Sequence, residues 1–231
     1  MSLPTFDVPR FNVQLPSTGE TVQFRPFLVK EQKQLLMAVA NDNQEQISAI
    51  ENIIHACSFG KVQAHRLPAF DVEYLFLQIR ARSIGENVDM QLTCNCGEKT
   101  KAVLDITKVA VQHTDGHNAS IDLGAGIVVQ MRYPRLTEIE EFGAEPSVDT
   151  TIALIARCIQ SIWQDDEMFA AEDYSSEELI EFVENLRPGN LDTIEEFFNT
   201  MPVLRHRLQW HCKACEKDND VVVEGMQSFF G

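Results

Sequence analysis

Basic residues are scarce in this chain: 19 Lys and Arg stand against 35 Asp and Glu over 231 residues, a formal net charge of −16. A protein that grips nucleic acid needs a stripe of cations to displace counterions from phosphates, and no such stripe occurs. Apolar runs such as Ile127-Val128-Val129 and Val221-Val222-Val223 fall far short of the ~20 residues of a helical bilayer crossing. The opening Met1–Asp7 segment lacks the basic stretch and apolar core of a signal peptide. Neither a membrane protein nor a secreted precursor is expected. Enzyme signatures are missing too: there is no G-x-S-x-G, P-loop, H-E-x-x-H or G-x-G-x-x-G, and Gly124-Ala125-Gly126 reads as a hairpin turn. The expectation is a non-enzymatic protein with no small-molecule substrate, no nucleic-acid partner and no membrane contact.

What is present is ordinary globular composition, 44% apolar and 23% charged, with 11 Gly and 9 Pro. A chain of this length buries about 70% of its unfolded surface, enough for a core without staples. The acid is local. Between Glu138 and Thr200 there are 17 Asp/Glu against two Arg, a net −15, which leaves −1 for all the rest. Such a stretch is either a set of solvated helix faces or a surface for a basic partner, with Glu177, Glu178, Glu181, Glu184, Glu195 and Glu196 the exposed acids.

Periodicity lays out the elements. Phe11–Leu15 and Thr21–Phe24 alternate around Pro16–Glu20, a β-hairpin. Lys30–Val39 reads as a helix; Ile47, Ile50, Ile53, Ile54 and Cys57 make a second, and Val72, Leu75, Phe76 and Ile79 a third, with Asp71 as its N-cap. Alternation returns from Asn87 to Ile106 around a tight Cys94-Asn95-Cys96-Gly97 turn. The second half begins with a hairpin over Ile121–Met131, then a capping box formed by Thr137 and Glu140. Ile152, Ile155, Ile159 and Trp163 predict a helix. So do Leu179, Phe182, Val183 and Leu186, capped by Ser175 with Glu178, and Ile194, Phe197, Phe198 and Met201, stopped at Pro202. Leu204–Trp210 alternates into Cys212-Lys213-Ala214-Cys215, and Val221–Val223 leads back.

The halves correspond. Val22–Arg25 with Pro26 matches Val129–Arg132 with Pro134; Cys57 matches Cys158, Asp71 matches Asp192, and the Cys94/Cys96 turn matches the Cys212/Cys215 turn. An internal duplication about a pseudo-twofold is expected. Residues 1–110 form the first pseudo-repeat and 111–231 the second, which carries the acidic helical lobe 138–200; the two are expected to make one compact body.

Two close cysteine pairs at hairpin tips carry the chemistry. In a chain without a secretory signal, such pairs point to metal before disulfide. Each turn aims two thiolates and backbone N–H groups at one point, and two such knuckles close a tetrahedral Cys₄ shell around Zn²⁺. Cys94, Cys96, Cys212 and Cys215 are the expected ligands of one structural zinc per chain. Lys99, Lys101, Lys213 and Lys217 are placed to offset the shell's formal negative charge. Free structural cysteines and a redox pair are the other readings. Cys57 and Cys158 lie on apolar helical faces and read as buried small hydrophobes. His211 should point away from its neighbour Cys212, His113 and His117 fall in a loop, and His206 is a strand-surface residue.

Phe24–Lys33 followed by Leu35–Ala38, Phe70–Glu86 running into Cys94–Gly97, the closing Cys212–Cys215 and the terminal Phe229-Phe230-Gly231 together resemble the T-even-type bacteriophage baseplate hub family. The resemblance implies a baseplate hub subunit or hub assembly catalyst, a tail assembly chaperone working with other hub proteins or the tape-measure protein. It also implies the host bacterial cytoplasm during phage assembly, with the virion baseplate as a second location. The expected fold is α+β: β-hairpins whose two zinc knuckles form a split zinc ribbon, plus packed helices. A homo-oligomer is allowed. Two other classes compete: a zinc-ribbon nucleic-acid-binding regulator, which the net charge opposes, and a CxxC thiol oxidoreductase, which lacks a thioredoxin-like frame.

Overall fold

The computed structural model describes residues 7–39, 43–143 and 147–225. The Met1–Phe6 opening and Phe229-Phe230-Gly231, both used above, lie outside the described residues. The fold is mixed α+β, small antiparallel sheets with seven helices among the described residues, and it divides into two compact units. One comprises residues 1–112 and 203–231, the other residues 113–202. Residues 203–231 thus group with residues 1–112.

In the first unit, β1 (Phe11–Gln14) and β2 (Thr21–Phe24) form the expected hairpin with Phe11 opposite Phe24. Val22 and Phe24 alternate inward and are buried. Pro26, which lacks an N–H, follows the ladder and the chain turns into α1 (Val29–Val39), then α2 (Asn43–Cys57). The α2 stripe Ile47, Ile50, Ile53, Ile54 and Cys57 is buried, as its 3-4 spacing requires. A 3-10 turn over Ala64–Arg66 leads to α3 (Ala69–Ser83), the most buried helix, in which Val72, Leu75, Phe76 and Ile79 have no exposed surface.

Asp71 is not the N-cap of α3. Pro68 holds that position and Asp71 is the third helical residue, fully buried. Its carboxylate accepts the Ser17 backbone N–H at 3.0 Å and the Ser17 hydroxyl, tying the β1–β2 turn to the helix. Pro68 fixes the start of the helix, so an acid three residues on need not cap it.

Next, β3 (Asn87–Thr93) pairs with β4 (Lys99–Asp105), and β5 (Ala110–Gln112) joins the hairpin made by the last two strands, β10 (Val203–His211) and β11 (Asp218–Glu224), in the order β11-β10-β5. Both hairpins stand on one core, where Leu77 and Ala81 of α3 meet Val88, Leu104, Ile106, Val109, Leu204 and Val223.

The second unit is a four-stranded sheet, β6-β7-β8-β9, of β6 (Ser120–Gly124), β7 (Ile127–Met131), β8 (Ile159–Gln164) and β9 (Glu167–Ala170). Its helices are α4 (Leu136–Gly143), α5 (Val148–Cys158), α6 (Ser176–Glu184) and α7 (Pro188–Thr200). Val129, Met131, Ile155, Ile159, Val183, Ile194 and Phe197 form its core. Two expectations fail here. The stripe Ile152–Trp163 is not one helix: α5 ends at Cys158, and Ile159 and Trp163 lie in β8. Ile159 and Ser161 are buried while Gln160 between them is exposed, so burial turns from period 3.6 to period 2 at the junction. The Thr137/Glu140 capping box is also absent. Thr137 is already helical, and Glu138 accepts the Arg135 N–H at 2.9 Å instead. The box at α6 forms as expected: Ser175 accepts the Glu178 N–H and Glu178 accepts the Ser175 N–H. A further box at Ser147 and Thr150 starts α5.

One device occurs in each unit. After β2, Arg25 donates its backbone N–H to the Cys57 carbonyl at 3.0 Å and its guanidinium to Glu31 at 2.9 Å, and Glu31 accepts the Leu28 N–H at 2.7 Å. After β7, Arg132 donates its N–H to the Cys158 carbonyl at 2.8 Å and its guanidinium to Glu138 at 2.7 and 2.8 Å, and Glu138 accepts the Arg135 N–H. The separations match, six residues from Arg to Glu and three from Glu back to its N–H donor. Asn190, the third residue of α7, donates to the Leu123 carbonyl of the β6–β7 hairpin at 2.7 Å. It thus does for that hairpin what Asp71 does for β1–β2. Asp192, two places further on, is exposed.

Candidate metal centre

The β3–β4 hairpin closes through Cys94-Asn95-Cys96-Gly97. Cys94 receives the Gly97 N–H at 2.8 Å and gives its own N–H to the Glu98 carbonyl at 2.8 Å. Gly97 has φ 89°, a left-handed conformation that side chains resist, so a tight knuckle needs glycine here. On the β10–β11 hairpin Cys212 gives its N–H to the Lys217 carbonyl at 2.9 Å, and Glu216 takes the left-handed position with φ 56°. The two closures are alike, and both rise from the α3-based core.

They bring four sulfurs together. Cys94 Sγ lies 3.7 Å from Cys215 Sγ, Cys96 Sγ lies 3.7 Å from Cys212 Sγ, and the four are all within 4.8 Å of one another. A disulfide would need about 2.05 Å, and all four cysteines are free. Four thiolates held tetrahedrally at the usual ~2.3 Å from zinc have edges of roughly 3.8 Å. The donor set and its spacing fit a metal ion, and Cys94, Cys96, Cys212 and Cys215 are the residues that can hold one.

The surroundings favour charge on one sulfur and oppose it on Cys96 and Cys215. The Cys212 thiol is drawn down to about 7, chiefly by the Cys215 and Ala214 backbone N–H groups. Cys215 is pushed up to about 12: the Lys217 N–H lowers it, but desolvation and hydrogen bonds to the neighbouring thiols outweigh that pull. Four crowded thiols do not all ionise by themselves, and a bound cation is what reverses this. Cys94 and Cys212 are buried, Cys215 is half-buried and Cys96 is exposed, so the cluster is rooted in protein and open on one side. Lys99, Lys101, Lys213 and Lys217 are exposed around it.

Asn219 was not among the expected residues. Its Oδ1 accepts from Cys94 Sγ at 3.5 Å, while its amide donates to the Lys217 carbonyl at 2.9 Å, bracing one hairpin against the thiol of the other. Nothing short of the fold could reveal it, since the two cysteine turns are 116 positions apart at Cys96 and Cys212. His211 is bound to Asp218 at 2.8 Å across the strand pair and takes no part. Cys57 and Cys158 are fully buried, their thiols pushed up to about 11 and about 12 by desolvation, as small hydrophobes would be. His117 does lie in the loop before β6, where it bridges Thr200 and Tyr133 at 2.9 and 3.1 Å.

These features define an α+β protein in which two hairpins converge on a four-cysteine cluster able to bind a metal ion. No helix among the described residues is long and apolar enough to cross a membrane. The chain belongs to the T4 bacteriophage base plate protein family, whose model matches residues 8–231. Comparison with curated proteins found no match, and neither did comparison with solved structures. Membership makes this a phage tail protein of the baseplate, a structural class whose partners are other baseplate proteins.

Proposed function

We propose that this protein is a baseplate hub subunit or hub assembly chaperone, held in shape by one structural Zn²⁺ on Cys94, Cys96, Cys212 and Cys215. The observation that carries the reading is the closure of the cluster. Four thiolates fill a tetrahedral shell and leave no open position for a catalytic water, so the ion's chemistry is to cross-link the β3–β4 and β10–β11 hairpins. The site therefore supports a scaffold rather than an enzyme. Family membership and the hub-like segments Phe24–Lys33 and Phe70–Glu86 support the baseplate side.

We read the chain as a divergent duplication. Support comes from the repeated Arg–Glu–Cys device, from the paired Asp71 and Asn190 ties, and from the like closure of the two knuckles. The second copy then carries an insertion, β8, β9 and α6, between the helices equivalent to α2 and α3. Each copy gives one knuckle, which makes the zinc ribbon a split one. A thiol oxidoreductase is disfavoured because sulfurs 3.7 Å apart come from different hairpins, with two further thiols alongside. A nucleic-acid regulator is disfavoured by the charge. The proposed workplace is the host bacterial cytoplasm during tail assembly. The test is affinity capture of the tagged chain from phage-infected cells: recovery of hub or tape-measure proteins ahead of complete baseplates supports the reading. Capture of outer baseplate components alone would overturn it.

A further inference from the structure

Two surfaces of this chain are apolar and differ in charge. The first is α1. Val29, Leu36 and Met37 are 79, 66 and 61% exposed, and at a 3.6-residue period they share one side of the helix with Lys33, beside Lys30. A single exposed apolar residue is ordinary, but three on one helical face beside two cations form an exposed amphipathic face. The only acid in this helix, Glu31, is buried and bound to Arg25, with Lys30 also paired to it at 3.4 Å, and Glu45 of α2 borders the groove that Lys30, Lys33 and Met37 line. The face of α1 is therefore both apolar and basic.

The second surface is in the other unit. Between α4, α5 and α7 lies an open groove of about 420 Å³ whose apolar lining includes Pro134, Ile139, Phe142, Leu154, Phe198 and Met201. Ile139 is 37% exposed, and Glu195 lines the groove, with exposed Glu141 and Glu196 on the same helices. This unit carries 19 Asp/Glu against four Arg, a net −15, and the unit bearing α1 is left with −1.

We propose that the protein self-associates head to tail, with α1 of one copy seated in the α4–α5–α7 groove of a second copy. The occupant follows from complementarity: the groove needs an apolar, basic helix face, and the same chain displays one. The polarity follows from charge. Joining groove to groove would set −15 against −15, whereas this contact sets a near-neutral unit against an acidic one. Lys33 meets Glu195 of the groove lining, and Leu36 and Met37 enter the groove, the helix-in-groove mode of recognition. One short helix buries less than a standard interface, below about 1,200 Å², so the association belongs to the weak class. Because the two surfaces differ, one such contact leaves the groove of the first copy and the helix face of the second available. This inference is independent of the hub assignment and stands or falls without it.

Sedimentation of the full chain across the micromolar range tests it, with Leu36→Asp disabling the helix face and Ile139→Asp disabling the groove. Circular dichroism and metal content confirm that both variants fold. The wild type should rise above monomer mass with concentration. Each variant alone should stay monomeric. An equimolar mixture of the two should form a dimer and stop there, since one intact helix face meets one intact groove. A wild type that stays monomeric throughout overturns the proposal. So does a mixture that stays monomeric although the wild type associates, which would mean a symmetric contact, and so does either variant associating as the wild type does.

Discussion

Arg132 and Glu138 show how much one pair can organise. The guanidinium meets both carboxylate oxygens and also the Arg157 carbonyl at 2.5 Å, while Glu138 holds the first turn of α4 through the Arg135 N–H. Glu138 is buried and Arg132 largely so, and removing one partner of such a pair strands the other. Glu138→Ala should therefore cost about 3 kcal/mol in urea unfolding. Burial by itself raises the Glu138 carboxyl, but the Arg132 hydrogen bonds and the Arg135 N–H outweigh it and hold it below its ordinary 4.5. Glu31 behaves likewise through Arg25 and Leu28. A folded value below the unfolded one means stability that is complete above about pH 4.5 and is lost as pH falls through the folded value. Thermal melts of Glu138→Gln should accordingly change less than wild-type melts between about pH 5 and pH 3. Asp71 works in the other direction: burial raises its carboxyl against the pull of Ser17, so its contribution declines as pH climbs through the raised value.

Among the elements, the two knuckle hairpins answer to the metal. Elemental analysis of protein purified without chelator should find about one zinc per chain, and either Cys94→Ser or Cys212→Ser should abolish it, since each turn supplies half of one shell. Two half-filled sites, one for each turn, would contradict a shared centre. Most helices and both knuckles were legible in sequence because their signals are local: the 3-4 spacing of α2 and α3, the alternation of β3 and β4, the Ser175 box. The β8–β9 hairpin was hidden because Ile152, Ile155, Ile159 and Trp163 keep a helical spacing across a helix–strand junction. Nothing local marks a break there except the Asp165 turn, where φ is 53°. Strand β5 is three residues long and is held by β10, which lies about 90 residues further on, a partnership no window could reveal. The four cysteines were legible as two pairs; that they meet at 3.7 Å is a property of the α3 core beneath them.

At the scale of the molecule, each unit has its own core, and only the first holds the thiol cluster. Chelation should therefore raise amide exchange in β3, β4, β10 and β11 and leave β6, β7 and β8 protected, as read by hydrogen exchange with mass spectrometry. The second unit gathers nearly all the net charge. Reversing Glu177, Glu181 and Glu184 to Lys, all on the exposed side of α6, while keeping the Glu178 cap, should preserve the fold by circular dichroism. It should also slow association with a basic hub or tape-measure client and flatten its salt dependence. Unchanged binding with lower solubility would leave the acids a purely solvating role. The separation of the two cysteine turns also has a consequence in time. A ribosome adding about 5–20 residues per second needs roughly 6–23 s to travel the 116 positions from Cys96 to Cys212. During that interval the first pair of thiols is without its counterpart, and an ion caught there would be held by half a shell. Metal capture is thus a late event in the birth of the molecule. The four-thiol site comes into being only when the β10–β11 hairpin has emerged and found the one made before it, so an ion held by all four sulfurs would mark a completed chain.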